Sequence, residues 1–335
     1  MDVDVFVAAH SAEWARLGEL TRRGGKLTGA EADELVTLYQ RTATHLSIIR
    51  SVAPDPALLA RLSALVARGR STVAGSHSPA WREVGLFFTR RFPAAVYNSR
   101  RWWIPAGLVS IAVMAVIAVW VAGDPAVRAA LATPEELNAL TQPGGEAESY
   151  YSTGPAASFA VHVWTNNAWV SAICLFLGVA AGLPVIGALW MNSLNAGLII
   201  GAMSAAGRGD VMIGLLLPHG LLELTAVFVA AGTGLKLGWT VIDPGRRSRS
   251  VALAEQGRSV VVIALGLACV LAVSGAIEGF VTPSGWPTWV RVGIGVVVWV
   301  AFLVYVFTLG RWASRDGEVG DMDARDAGDA LPESA

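Results

Sequence analysis

Charge is scarce in this chain: only 15% of its 335 residues are Asp, Glu, Lys or Arg. Soluble domains carry about a quarter, so this composition cannot supply a water-facing surface over the whole chain. Lysine is nearly missing, with Lys26 and Lys236 as the two among 25 basic residues. That arginine bias, with abundant Ala and Gly, fits a GC-rich bacterial genome. Two cysteines, Cys174 and Cys269, exclude a disulfide scaffold, and both sit in apolar runs where a thiol acts as a small hydrophobe. The 36 glycines keep no fixed period, which excludes a collagen repeat. What is abundant is apolar surface: 54% hydrophobic residues and a mean hydropathy of +0.52. Together these define an integral membrane protein.

Residues 1–101 read as a cytoplasmic helical region without a signal peptide, since no apolar run before a cleavage site opens it. Thr28 and Glu31 form a capping box, and Leu35, Leu38, Tyr39, Thr42, Leu46 and Ile49 follow at helical spacing. Pro54-Asp55-Pro56 breaks the chain before a second stripe through Leu58, Leu59, Leu62, Leu65 and Val66. Ser78-Pro79 predicts another helix start. The mixture of Arg and aromatics over 81–103 predicts a helix lying in the membrane interface.

Apolar segments at 104–123, 168–190, 193–207, 211–241, 258–280 and 288–310 make the remainder, 102–311, a transmembrane domain. A crossing helix needs about 20 residues, and five of the six segments are long enough. The third is short and starts at Asn192 and Asn195, which suits a re-entrant segment, so charge must arbitrate. Residues 1–101 hold 14 basic against 9 acidic side chains, whereas 124–167 holds Arg128 against five acids. The 243–258 connection carries Arg246, Arg247, Arg249 and Arg258. The positive-inside rule then places 1–101 and 243–258 in the cytoplasm and 124–167 outside, which requires four spans between them. The expectation is an all-α, multi-pass protein of the bacterial plasma membrane, with six spans and both termini cytoplasmic. Thr133 and Glu136 predict a short helix in the outer connection, and 312–335 reads as a disordered acidic tail.

Few polar groups fall inside the spans. His219 and Glu223 lie four apart, on one helical face, next to Pro218, which should kink that helix. A carboxylate at membrane depth costs roughly 2.5–3.5 kcal/mol on insertion scales, so this pair must face protein or water. It serves either as a polar pin between helices or as a proton, ion or substrate site, with Asn192, Asn195, Asn166 and Asn167 as further polar candidates. His-x-x-x-Glu is not a zinc-protease motif, and His162 or Glu278 could complete a ligand set only through the fold, so no metal or cofactor is expected. Glu278 and Lys236 are read as reaching to the two interfaces. Gly178/Gly182, Gly197/Gly201 and Gly234/Gly238 are spaced for close helix packing, and Gly220 joins them beside Pro218.

These residues resemble the stage II sporulation protein M family of polytopic bacterial membrane proteins. The resemblance is carried by Pro218-His219-Gly220-Leu221-Leu222-Glu223-Leu224 with Gly234-Leu235-Lys236-Leu237-Gly238, by Asn166-Asn167, and by Asn192 with Asn195-Ala196-Gly197 and Gly201. Trp14, Glu31-x-x-Glu34-Leu35-x-x-Leu38-Tyr39 and Ile277-Glu278-Gly279-Phe280-Val281-Thr282-Pro283 are similar to the longer members. The resemblance implies a membrane complex that recruits peptidoglycan-degrading enzymes, and no enzymatic activity. The leading expectation is therefore a non-enzymatic scaffold whose partners are the bilayer and other membrane or cell-envelope proteins, with no nucleic acid and with self-association open. A transporter or channel using the His–Glu site is the first alternative, and an intramembrane metal-dependent hydrolase the second.

Overall fold

The computed structural model describes residues 3–23, 27–52, 56–73, 80–152 and 154–321. They are helical almost throughout and contain no strand. Two compact units emerge, Met1–Glu83 and Val84–Ala335.

The first unit is built from α1 (Val3–Arg23), α2 (Gly29–Val52) and α3 (Pro56–Val73), each packed against the other two. Leucines at helical spacing turn inward: Leu17, Leu20, Ile49 and Leu62 are fully buried, around Trp14, Leu35, Leu38 and Leu65. The capping box forms as expected, with Thr28 N–H donating to Glu31 at 2.9 Å and Glu31 N–H to Thr28 Oγ1 at 3.4 Å. Those bonds and a two-pronged bond from Arg23 hold the Glu31 carboxyl down at about 2. The Pro54-Asp55 break and the Ser78-Pro79 start lie outside the described residues, although Pro56 does open α3.

The last residues of α4 (Ala80–Leu86) open the second unit and continue through a π-helical turn at Phe87–Arg91 into α5 (Phe92–Asn98). Six long apolar helices follow: α6 (Arg100–Gly123), α10 (Ala156–Leu177), α11 (Leu183–Ala205), α12 (Gly209–Ile242), α13 (Arg249–Ala276, extended to Val281 by a π turn) and α14 (Thr288–Tyr305, extended through a π turn at Val306–Gly310 into α15, Arg311–Arg315). Between α6 and α10 lie three short helices, α7 (Pro125–Leu131), α8 (Pro134–Thr141) and α9 (Glu146–Ser149). Asp124 caps α7, and the expected Thr133–Glu136 capping box starts α8. Arg208, in the turn between α11 and α12, donates to the Thr141 carbonyl at 2.7 Å and pairs with Glu148, so the connection is tied over the helix ends.

Helix α12 is the hub and touches all five other spanning helices. Its stretch from Thr225 to Gly234 is buried without a break, which explains why it is apolar all round rather than along one stripe. Close approach needs small residues here. A side chain at Gly178 would strike the Gly234 backbone, and one at Gly197 or Gly201 would strike α6 at Met114, Ile117, Ala118 and Val121. Gly220 differs from the expectation: only its own-helix neighbour Leu216 lies near it.

Four expectations are corrected. The segments 168–190 and 193–207 are not spans: α10 ends at Leu177, and a turn with positive φ at Ala181 and Gly182 leads into Pro184 at the start of α11. That Gly-Leu-Pro signal was hidden inside an unbroken apolar run. It makes α11 a full span, and it shortens the 124–167 connection to 124–155. Second, 81–103 is not one helix lying on the bundle: it comprises α4, a π turn, α5 and the start of α6, and Phe92, Ala94, Ala95 and Val96 are buried against the bundle. Third, the tail is ordered as far as residue 321: Arg90 pairs with Asp316 at 2.8 Å, and Asn98 donates to the Val319 carbonyl at 3.1 Å. Residues 322–335 lie outside the described residues. Fourth, Glu278 does not reach an interface; it is 4% exposed.

Candidate functional site

Helix α12 runs unbroken through Pro218 and places His219 and Glu223 one turn apart on the face toward α13. The Pro218 backbone lies against Gly295, where a side chain would collide, so α14 sits close at this level. From α13 come Ser274, Glu278 and Thr282, four residues apart and hence on one face. Glu278 lies within the Ile277–Val281 π turn, a departure from α geometry that re-aims side chains and recurs at functional sites.

These groups converge. His219 Nε2 is 3.8 Å from Glu278 Oε1, and His219 Nδ1 is 3.2 Å from Thr282 Oγ1. Ser274 Oγ bridges to the His219 carbonyl at 3.2 Å and to Glu223 at 3.5 Å. Asn167, half-buried on α10, lies close to Glu223 as the contribution of a third helix. One donor atom each from His219, Glu223 and Glu278 fits within 4.8 Å of the others. Above them Tyr151 closes the cluster, its ring 5.8 Å from the His219 ring, in contact with Tyr150 and Phe159. Burial, with Glu278 and Glu223 nearby, pushes both tyrosine hydroxyls above their ordinary range, so they stay protonated donors.

Thr282 Oγ1 holds the imidazole at Nδ1, and it also lies 3.4 Å from the Ile277 carbonyl, which accepts the Thr282 N–H at 2.9 Å. In the tautomer with Nδ1–H donating to Thr282, Nε2 presents a lone pair to a carboxylate oxygen, and Glu278 Oε2 is buried with no hydrogen-bond partner. Two acceptors facing each other in a buried site call for something positive between them.

Of the polar residues singled out in the sequence, His219, Glu223 and Asn167 meet here. Asn166 and Asn195 are exposed, and Asn192, half-buried on α11, takes no part in the cluster. The reading of the sequence named Glu278 only as a ligand that the fold would have to bring in, and it missed Ser274, Thr282 and Tyr151 as members of the cluster. The i, i+4, i+8 spacing of Ser274, Glu278 and Thr282 on α13 was visible, but nothing local tied that face to α12. The opposite end of α12 is different: Lys236 lines a cavity of about 550 Å³ with Arg247, Glu255, Arg258 and Asp321.

A bundle of six spans with a polar cluster enclosed near one end defines a multi-pass membrane protein. The chain matches the stage II sporulation protein M family over residues 107–283, more than half its length, and it belongs to that family. Residues 4–75 match a separate domain of unknown function. An uncharacterized protein from Methanocaldococcus jannaschii is 27% identical over 124 residues, covering 36% of this chain and 70% of that protein. No solved structure matches the chain.

Proposed function

We propose that this protein is a non-enzymatic scaffold of the bacterial plasma membrane, linked to cell-envelope or peptidoglycan remodelling. It holds cytoplasmic partners through the N-terminal unit and envelope partners through the 124–155 connection. The observation that supports this reading is the apolar plug in the middle of the bundle. Between the cluster at His219 and the cavity at Lys236, Ala226, Val227, Phe228, Val229, Ala230 and Ala231 are all buried and apolar. Val262, Ile263 and Leu267 of α13 are buried in the same core. A conduction path needs polar groups along its length; between Thr225 and Thr233 helix α12 offers none, and those two hydroxyls donate to the Leu221 and Val229 carbonyls of their own helix. The test is purification of the full chain in mild detergent after crosslinking in cells. Envelope proteins recovered in fixed ratio support the scaffold; ion or proton flux through reconstituted protein, abolished by Glu223→Gln, would replace it with a transporter. One observation favours the second reading, an intramembrane hydrolase: Glu278 supplies a third ligand beside His219 and Glu223. Turnover of a peptide or lipid substrate that is lost on chelation would support that reading over the scaffold.

A further inference from the structure

We infer that His219, Glu223 and Glu278 form a binding site for a divalent transition-metal ion, with zinc the best fit, enclosed beneath Tyr151 at the end of the bundle that carries the 124–155 connection. Three features carry this. One histidine nitrogen and two carboxylates converge from α12 and α13, their donor atoms all within 4.8 Å of one another. The 3.8 Å between His219 Nε2 and Glu278 Oε1 is too long for a shared proton, since hydrogen bonds of this kind run to about 3.2 Å. It is close to the roughly 3.4 Å that separates neighbouring ligand atoms when bonds of about 2.0–2.2 Å radiate from a tetrahedral zinc. The third feature is Glu278 Oε2, which is buried and has no partner within a side chain that is 4% exposed. A second carboxylate oxygen with nothing to accept from is what a metal ligand looks like without its metal.

The surroundings match the second layer that metal ligands need. Thr282 Oγ1, 3.2 Å from His219 Nδ1, is placed to accept a hydrogen bond from it and so to leave Nε2 as the ligating atom. Ser274 bonds the Glu223 carboxylate, and Asn167 lies close to it. The imidazole selects a first-row transition ion over calcium or magnesium, and two carboxylates neutralise its charge at a depth where an uncompensated charge is costly. Three protein ligands leave a fourth position for water.

The experiment uses the full chain in mild detergent, stripped with EDTA, loaded with Zn²⁺, desalted and assayed for retained zinc. His10→Asn and His45→Asn are included throughout, because His10, Glu13 and His45 form another group of donor atoms in the N-terminal unit. About one zinc per chain is expected in that background. Glu278→Gln and His219→Asn should each lower affinity at least tenfold, Thr282→Val by about 10–100-fold through loss of orientation, and His162→Asn, exposed on α10, not at all. Should the ligand variants fail to fold, Co²⁺ added to the stripped chain with an intact cluster decides: intense visible bands of a four- or five-coordinate ion are expected. No retained zinc, equal retention by a folded Glu278→Gln chain, or a six-coordinate aqua-type Co²⁺ spectrum would each overturn the proposal.

Discussion

His219 Nδ1 meets Thr282 Oγ1 at 3.2 Å across the α12–α13 contact, which turns the other ring nitrogen, Nε2, toward Glu278. Thr282 is itself fully buried, so the pair has no water to fall back on. Thr282→Val keeps the shape and deletes the acceptor, leaving the Nδ1 proton unsatisfied at a cost of about 1–3 kcal/mol. A thermal melt of the detergent-solubilised protein should fall accordingly, while Thr282→Ser should largely restore it.

His219 and Glu278 are expected to be energetically coupled. With a metal ion bound, replacing either one leaves the other with an incompletely held ion, so each single variant of the metal-loaded chain should be more destabilising than the double variant implies by addition. Groups in one buried network show interaction energies of about 0.5–3 kcal/mol. A double-mutant cycle with His219→Asn and Glu278→Gln measures this, and simple additivity would remove the coupling.

The approach of α10 to α12 at Gly178 and Gly234 admits no side chain on either helix, because backbone lies against backbone. Gly234→Val should therefore destabilise the bundle by about 1–3 kcal/mol or more through overpacking, whereas Gly257→Val on α13, with open space around it, should be near neutral. Yield and melting temperature in detergent distinguish the two.

Orientation can be read by labelling. In a chain with Cys174 and Cys269 replaced, a cysteine near Arg247 should resist an impermeant thiol reagent in intact cells, and one near Glu146 should react. The reason is the cost of translocating the arginines of the 243–248 turn against the acidic character of 124–155. Labelling at 247 alone would invert the topology.

The N-terminal unit should fold as a fragment spanning 1–83, with helical circular dichroism and a cooperative melt, since its core closes on its own three helices. It should also lose stability in mild acid. Burial, and the His10 ring 4.0 Å away, hold His45 below its ordinary value of 6.5, and Trp14 donates to its Nδ1 at 3.2 Å. The unfolded chain therefore binds the proton more readily, so unfolding is favoured as pH falls below about 6.5 and the effect is absent above it. A further loss should follow below about 4.5 as Glu31, held near 2 when folded, is protonated on unfolding. Melts of the fragment from pH 7.5 to 3.5 check both steps; a flat profile across pH 6 would show that His45 is not linked to folding.

Sequence alone determined the all-α class, the number of helices long and apolar enough to span, both capping boxes and the placing of His219 and Glu223 on one helical face. These follow from hydropathy and from contacts three or four residues apart, which a single chain displays directly. The α10–α11 turn escaped it because Gly182-Leu183-Pro184 is apolar, and hydropathy cannot see a turn that is as oily as the helices it joins. Only the tertiary structure decided that Phe92 belongs to the membrane bundle's core, that residues 311–321 dock beside α5, and that Glu278 and Asn167 join Glu223. Each of those depends on which helix faces which. Helix rotation in a bundle is set by small residues and close packing across the contact, as at Gly178 against Gly234, and no periodicity within one helix records the identity of its neighbour.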